Sequence, residues 1–142
     1  MLRRLASLAV AAVILGALAA GPASAEQAGK VALLAAPSGA CNVGATSGTD
    51  TKAFAVVQFA DSKVQATVSL KDGAPNAAYA VSLVQIPSGE NCFGDEAEIT
   101  TNAQGNGTVH LNEDRLEGTT GAFVIVQLIG GFDFRASKAV AG

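Results

Sequence analysis

The segment Lys63-Val64-Gln65-Ala66-Thr67-Val68-Ser69-Leu70-Lys71 alternates without a break. In an extended chain Val64, Ala66, Val68 and Leu70 fall on one face, and Gln65, Thr67, Ser69 and Lys71 on the other. Successive side chains of a strand point to opposite sides, so this period of two predicts a strand buried on one side. The segments on either side repeat the pattern.

Upstream lies Ala53–Ala60 (AFAVVQFA), and Asp61-Ser62 is short enough to make the two a hairpin. Downstream, Asp72-Gly73-Ala74-Pro75-Asn76 is dense in residues that favour turns: Gly and Asn tolerate positive φ, and Pro presets φ near −65°. It leads into a strand over Ala77–Ile86, with Tyr79, Val81 and Leu83 on one face. An irregular acidic loop, Pro87–Asp95, follows and holds Cys92. Short strands over Glu96–Thr101 and Gly107–Asn112 flank a hairpin connection at Asn102–Asn106. Gly121–Ile129 contains FVIVQLI, apolar on both faces except at Gln127, which predicts a central strand covered on both sides. Left exposed, such a run invites aggregation. Gly130-Gly131 reads as a two-residue hairpin link, and Phe132–Val140 as the returning strand. With Lys30–Ala36 added, the fold expected is all-β: a two-sheet antiparallel immunoglobulin-like sandwich of about eight strands, rather than a barrel. Ala40–Lys52, rich in Gly, Thr, Ser and Asn, reads as a loop.

The first residues have a different character. Arg3 and Arg4 precede an apolar run from Leu5 to Ala20, then Gly21-Pro22 and the small-residue pattern Ala23-Ser24-Ala25. This is the layout of a helical secretory signal peptide over residues 1–25, cleaved between Ala25 and Glu26. The competing reading, an uncleaved anchor, needs a span of roughly 20 apolar residues that the run does not reach. A lipoprotein needs a Cys directly after the apolar run, and the first Cys is Cys41. Residues 26–142 then form a single secreted domain. Loss of Arg3 and Arg4 leaves seven basic against twelve acidic residues, a net charge of −5. That charge argues against nucleic acid, which requires a basic face, and against anionic membrane surfaces. No later run is long enough for stable membrane insertion after cleavage.

Outside the cytoplasm, Cys41 and Cys92 read as a disulfide, with two free or intermolecular thiols as the alternative. The chain-entropy model credits so long a loop with about 4 kcal/mol. Catalytic chemistry is sparse. His110, the only histidine, shares a strand face with Thr108 and Asn112. It reads as a solvent-facing residue more readily than as a general base, because no orienting partner accompanies it. No G-x-S-x-G context is present. Glu90, Asp95, Glu96 and Glu98 form an acidic cluster of hard oxygen ligands, which makes Ca²⁺ the one metal to consider, against the simpler reading of a solvated loop. No cofactor is expected. With no Trp and one Tyr, stacking on sugars is poorly supplied. Phe54, Phe59, Phe123, Phe132 and Phe134 read as core, and Phe93 as either a plug over the disulfide or an exposed contact. Asn106-Gly107-Thr108 fits an N-glycosylation sequon but equally the turn it occupies. Pro75 and Tyr79, with Val81, are spaced like a tyrosine corner, in which the phenol reaches back to upstream backbone.

The stretch KVQATVSLKDGAPNAAYAVSLVQ, a Cys-containing loop and then ITTNAQGNGTVHL resembles the middle of the neocarzinostatin-type apoproteins, small secreted actinobacterial immunoglobulin-like sandwiches. The resemblance implies the fold and the export. It carries no ligand-binding residue, because that family's two disulfides cannot both form on two cysteines. The function expected is a secreted, non-enzymatic binding or interaction module whose partner is an extracellular ligand or protein. The alternatives are a protease inhibitor presenting Ser88–Phe93, or a small hydrolase.

Overall fold

The computed structural model describes residues 27–37, 50–87 and 96–142, and among them nine strands and no helix. The strands are β1 (Gln27–Ala35), β2 (Asp50–Phe59), β3 (Lys63–Leu70), β4 (Ala78–Ile86), β5 (Ala97–Thr100), β6 (Gly107–Asp114), β7 (Gly121–Leu128), β8 (Phe134–Ser137) and β9 (Val140–Ala141). Every pairing is antiparallel. The hydrogen-bonded order is β5-β4-β7-β8-β1-β2-β3-β6, with β9 against β7. The proposed signal peptide and cleavage site, both cysteines, Phe93, Glu90 and Asp95 lie outside the described residues.

The period-two pattern sets the layers. On β3, Val64, Ala66, Val68 and Leu70 are buried, while Lys63, Gln65 and Thr67 keep part of their surface. They meet Tyr79, Val81 and Leu83 of β4 and Ala122, Val124 and Val126 of β7 in one core, joined by Val57 of β2 and Leu33 of β1. Each Val or Leu among them gains about 1.5–3 kcal/mol on full burial. The two halves of the sheet therefore face each other as a sandwich. The opposite face of β4 and β7 carries a second buried cluster, Val84, Phe123, Ile125 and Phe134. That explains the unbroken FVIVQLI run, since both faces of β7 are covered.

Adjacencies β2-β3-β6 and β4-β7-β8 are those of strands A-B-E and C-F-G of an immunoglobulin-type sandwich. β1 is the addition. Its first part pairs with β2 and Leu33–Ala35 with β8, so one strand serves both halves and joins them along that seam. Between Ala32 and Leu34 the register with β2 shifts, and a bulge of this kind bends a strand from one layer into the next. On the opposite side the Gln85 amide bridges β4 to the β6–β7 connection. It donates to the Asp114 carbonyl and accepts from Leu116 N–H and the Thr119 hydroxyl.

Four sequence expectations need correction. The return expected over Phe132–Val140 is split, because the Ser137 hydroxyl accepts from Val124 N–H and donates to the Lys138 carbonyl, interrupting the ladder before β9 resumes. The Gly130-Gly131 link is also wider than two residues. Gln127 pairs with Phe134 and Leu128 N–H donates to the Asp133 carbonyl, so Ile129–Phe132 form the turn. Phe132, expected in the core, is consequently 98% exposed. Phe54 also departs from a core position, lying on the outer face with the Lys30 ammonium 4.0 Å from its ring centroid.

Urea denaturation should separate the layers: Leu83→Ala should lose about 2–5 kcal/mol, and Thr108→Ala on the open face should stay within about 0.5 kcal/mol of the parent.

Candidate functional site

Three connections meet where β3 ends and β4 begins: residues 71–77, 101–106 and 129–133. Asp72-Gly73-Ala74-Pro75-Asn76 turns because Asp72 and Asn76 adopt positive φ, which Asp and Asn tolerate better than most residues. Gly105 is also at positive φ, and a Cβ there would run into the Gly73 backbone, whose N–H donates to the Gly105 carbonyl. Asn102 braces the 101–106 loop, its side-chain oxygen accepting from Gln104 and Asn106 N–H. The Thr101 hydroxyl ties it to the first loop, accepting from Ala77 N–H at 2.9 Å and donating to the Ala74 carbonyl at 2.6 Å.

Tyr79 and Arg135 bring in the third connection. The Tyr79 hydroxyl accepts from Ala74 N–H at 2.7 Å and donates to Asp133 Oδ2, also at 2.7 Å. Arg135, only 6% exposed, grips the same carboxylate with two N–H groups, Nε to Oδ1 at 3.0 Å and Nη2 to Oδ2 at 2.9 Å. Its remaining donors reach the Lys71 carbonyl at 2.6 Å and the Asp72 carbonyl at 2.9 Å. A bidentate guanidinium–carboxylate pair fixes orientation as well as distance. Burial raises the Tyr79 phenol above its ordinary range, and its hydrogen bond to Asp133 adds to this while the Ala74 N–H opposes it. Burial also pushes Asp133 upward, but the hydrogen bonds from Arg135 and Tyr79 and the Arg135 charge reverse this, holding the carboxyl below its ordinary range.

This network anchors Asp133, the residue next to Phe132. At the other end of the turn, Ile129 N–H donates to the Ala78 carbonyl. Two large apolar side chains, Ile129 at 54% exposure and Phe132, thus project from a turn fixed on both sides. Beside them is a depression of about 210 Å³ lined by Ala80, Gln127, Leu128, Ile129 and Gly130, none of them charged.

The remaining residues singled out in the sequence lie elsewhere. His110 is exposed on the outer face of β6, its Nδ1 2.9 Å from the Thr67 hydroxyl of β3, and it does not line this depression. Glu96 serves the backbone: its carboxylate accepts from Leu83 N–H just where β5 stops pairing with β4. Glu98 is exposed on β5. Among the described residues no group of three or more His, Cys, Asp or Glu is placed to hold a metal ion. Asp133 and Arg135 were missed in the sequence, and Phe132 was read there as core. The signal was there: an Asp and an Arg two apart, alternating with Phe132 and Phe134 at the start of the return strand.

Comparison of the chain with protein-family models, with curated proteins and with solved structures finds no match.

Tyr79→Phe should lower stability by about 1–3 kcal/mol, since it strands the Ala74 N–H and removes a donor to Asp133. Asp133→Asn should cost about 3–5 kcal/mol at neutral pH, because it leaves the Arg135 charge buried without its partner. Because Asp133 has a depressed folded-state pKa, its contribution is present above the unfolded value of about 4 and is lost as pH falls through the folded one. Chemical denaturation from pH 7 down to pH 2 should show that loss in the parent and not in Asp133→Asn. Tyr79 acts at the alkaline end, with stability declining as pH rises beyond about 10 in the parent and less so in Tyr79→Phe.

Proposed function

We propose that this chain is an exported, non-enzymatic interaction module that docks on a protein partner through the β7–β8 turn, with Phe132 as the anchor. One observation carries the reading: an aromatic side chain 98% exposed on a turn held by a bidentate ion pair whose arginine is buried. An exposed Phe gives up hydrophobic free energy in the free protein and regains it in a partner's pocket. Aromatic anchors dominate binding energy at interfaces, and a turn already fixed loses little conformational entropy on docking.

The surroundings favour a protein over the other occupants. At about 210 Å³ the neighbouring depression is smaller than the roughly 300–1,000 Å³ of small-molecule sites. Its uncharged lining lets a chain of net charge −5 approach a partner there without a like-charge penalty, while an anionic lipid surface would repel the rest of the molecule. Export rests on the leader over residues 1–25, and the Cys41–Cys92 disulfide belongs to the same proposal. The resemblance to neocarzinostatin-type apoproteins enters only through export and the sandwich. The inhibitor reading placed its contact loop at Ser88–Phe93, outside the described residues.

A photo-crosslinking residue at position 132, and separately at position 63, tests this in the producing culture. Crosslinks from 132 to a single protein, absent from 63, are expected. Phe132→Ala should then weaken that protein's binding by about thirtyfold, the effect of losing a 2 kcal/mol anchor, while the unfolding midpoint stays unchanged. Equal crosslinking from both positions, or Phe132-dependent sedimentation with neutral lipid vesicles in place of a protein, would overturn it.

A further inference from the structure

The turn over residues 129–133 is fastened differently from the strands around it. The Gln127–Phe134 rung bounds it, and none of its five residues belongs to either buried apolar cluster. Its two large apolar side chains, Ile129 and Phe132, are exposed. What holds it is polar. Ile129 N–H donates to the Ala78 carbonyl, Gly131 N–H to the Leu128 carbonyl and Leu128 N–H to the Asp133 carbonyl, while the Asp133 carboxylate accepts from Tyr79 and Arg135. A segment with so little apolar area to lose opens at a lower free-energy cost than the core strands beneath it.

Of these fastenings only the carboxylate titrates in acid. It faces the Arg135 guanidinium from β8 and the Tyr79 phenol from β4. The 71–77 connection carries Lys71 and Asp72, whose backbone carbonyls meet the same guanidinium, while residues 101–106 and 129–132 bring no titratable side chain. A protonated Asp133 carries no charge and turns one oxygen into a donor, so it no longer matches two guanidinium N–H groups. Arg135, only 6% exposed, is then a buried cation without its counter-charge. Lifting the turn relieves this: water reaches the guanidinium, and the Lys71 and Asp72 carbonyls keep two of its donors.

We infer that acid unlatches this turn while the sandwich stays folded, so that Phe132 loses its fixed position before the core opens. Release of a partner in acid is the consequence, and that part rests on the docking role proposed above; the latch itself does not. Burial raises the Asp133 carboxyl, but the hydrogen bonds from Arg135 and Tyr79 and the Arg135 charge outweigh it and hold the group below its ordinary range. The latch is therefore closed at neutral and mildly acidic pH and opens as pH falls below about 4. Both core clusters consist of apolar side chains and Tyr79, which do not titrate in that range.

The test follows isotopically labelled protein, expressed from the full-length sequence, from pH 7 down to pH 2. The ¹³C shift of the Asp133 carboxyl reports its protonation, and ¹⁵N order parameters report the turn and the strands separately. As Asp133 titrates, the values at Gly130–Phe132 should fall from about 0.85 to below about 0.6, while those at Val68 and Val124 stay near 0.85. Tyr79→Phe removes one hydrogen bond that favours the carboxylate, so titration and opening should move to higher pH together. A turn already mobile at pH 7, a turn still ordered after Asp133 has titrated, strands that loosen together with the turn, or an opening that does not follow the carboxyl in Tyr79→Phe would each overturn the latch. None of these readouts involves a partner. Their failure in acid therefore leaves a crosslink from position 132 standing, and a missing crosslink leaves the latch standing.

Discussion

The pair between Arg135 and Asp133 is the constraint on which this end of the molecule depends. A guanidinium this deeply buried is tolerated only if its donors are satisfied, because desolvating a charge costs several kcal/mol. Two of the satisfying groups are carbonyls of Lys71 and Asp72, and the rest belong to one carboxylate. To satisfy the arginine, therefore, the β3–β4 connection and the β7–β8 turn must be in place together. Tyr79 extends the requirement, since its hydroxyl needs both Ala74 N–H and Asp133. The same interactions leave Phe132 no inward course: with Asp133 and Phe134 committed, the residue before them is carried out on the turn.

A second constraint works along the β1 seam. Serving both halves of the sandwich requires β1 to follow β2 and then β8, which lie in different layers. The register shift absorbs that change of direction. The surplus residues fall on β2, and with them the one positive-φ residue inside a described strand that is not glycine. One local irregularity thus settles how the layers join.

What could be read beforehand follows from which forces are local. Strand β3 was legible because its alternation reports burial on one side directly, and β7 because FVIVQLI has no polar face to expose. Tyr79 stood out through its spacing from Pro75, although its bond to Asp133 depends on a residue far along the chain. Phe132 was misread because Gly130-Gly131 supports a two-residue turn as well as a four-residue one. The choice is made by the bonds of Asp133 to Tyr79 and of Arg135 to the Lys71 and Asp72 carbonyls, which are tertiary interactions. Widening the turn takes Phe132 out of the ladder altogether, turning an expected core residue into a fully exposed one. Lys52 was taken as the end of a loop for a similar reason, since nothing in its neighbours announces a bulge imposed by β1.

The Arg135–Asp133 pair, with its arginine buried, holds the Phe132 turn rigid in the free protein. Backbone ¹⁵N relaxation on residues 129–133 measures this directly. Order parameters of about 0.85, equal to those of the flanking strands, are predicted for the turn. Values below about 0.6 at Gly130–Phe132 would show a flexible loop and contradict the account.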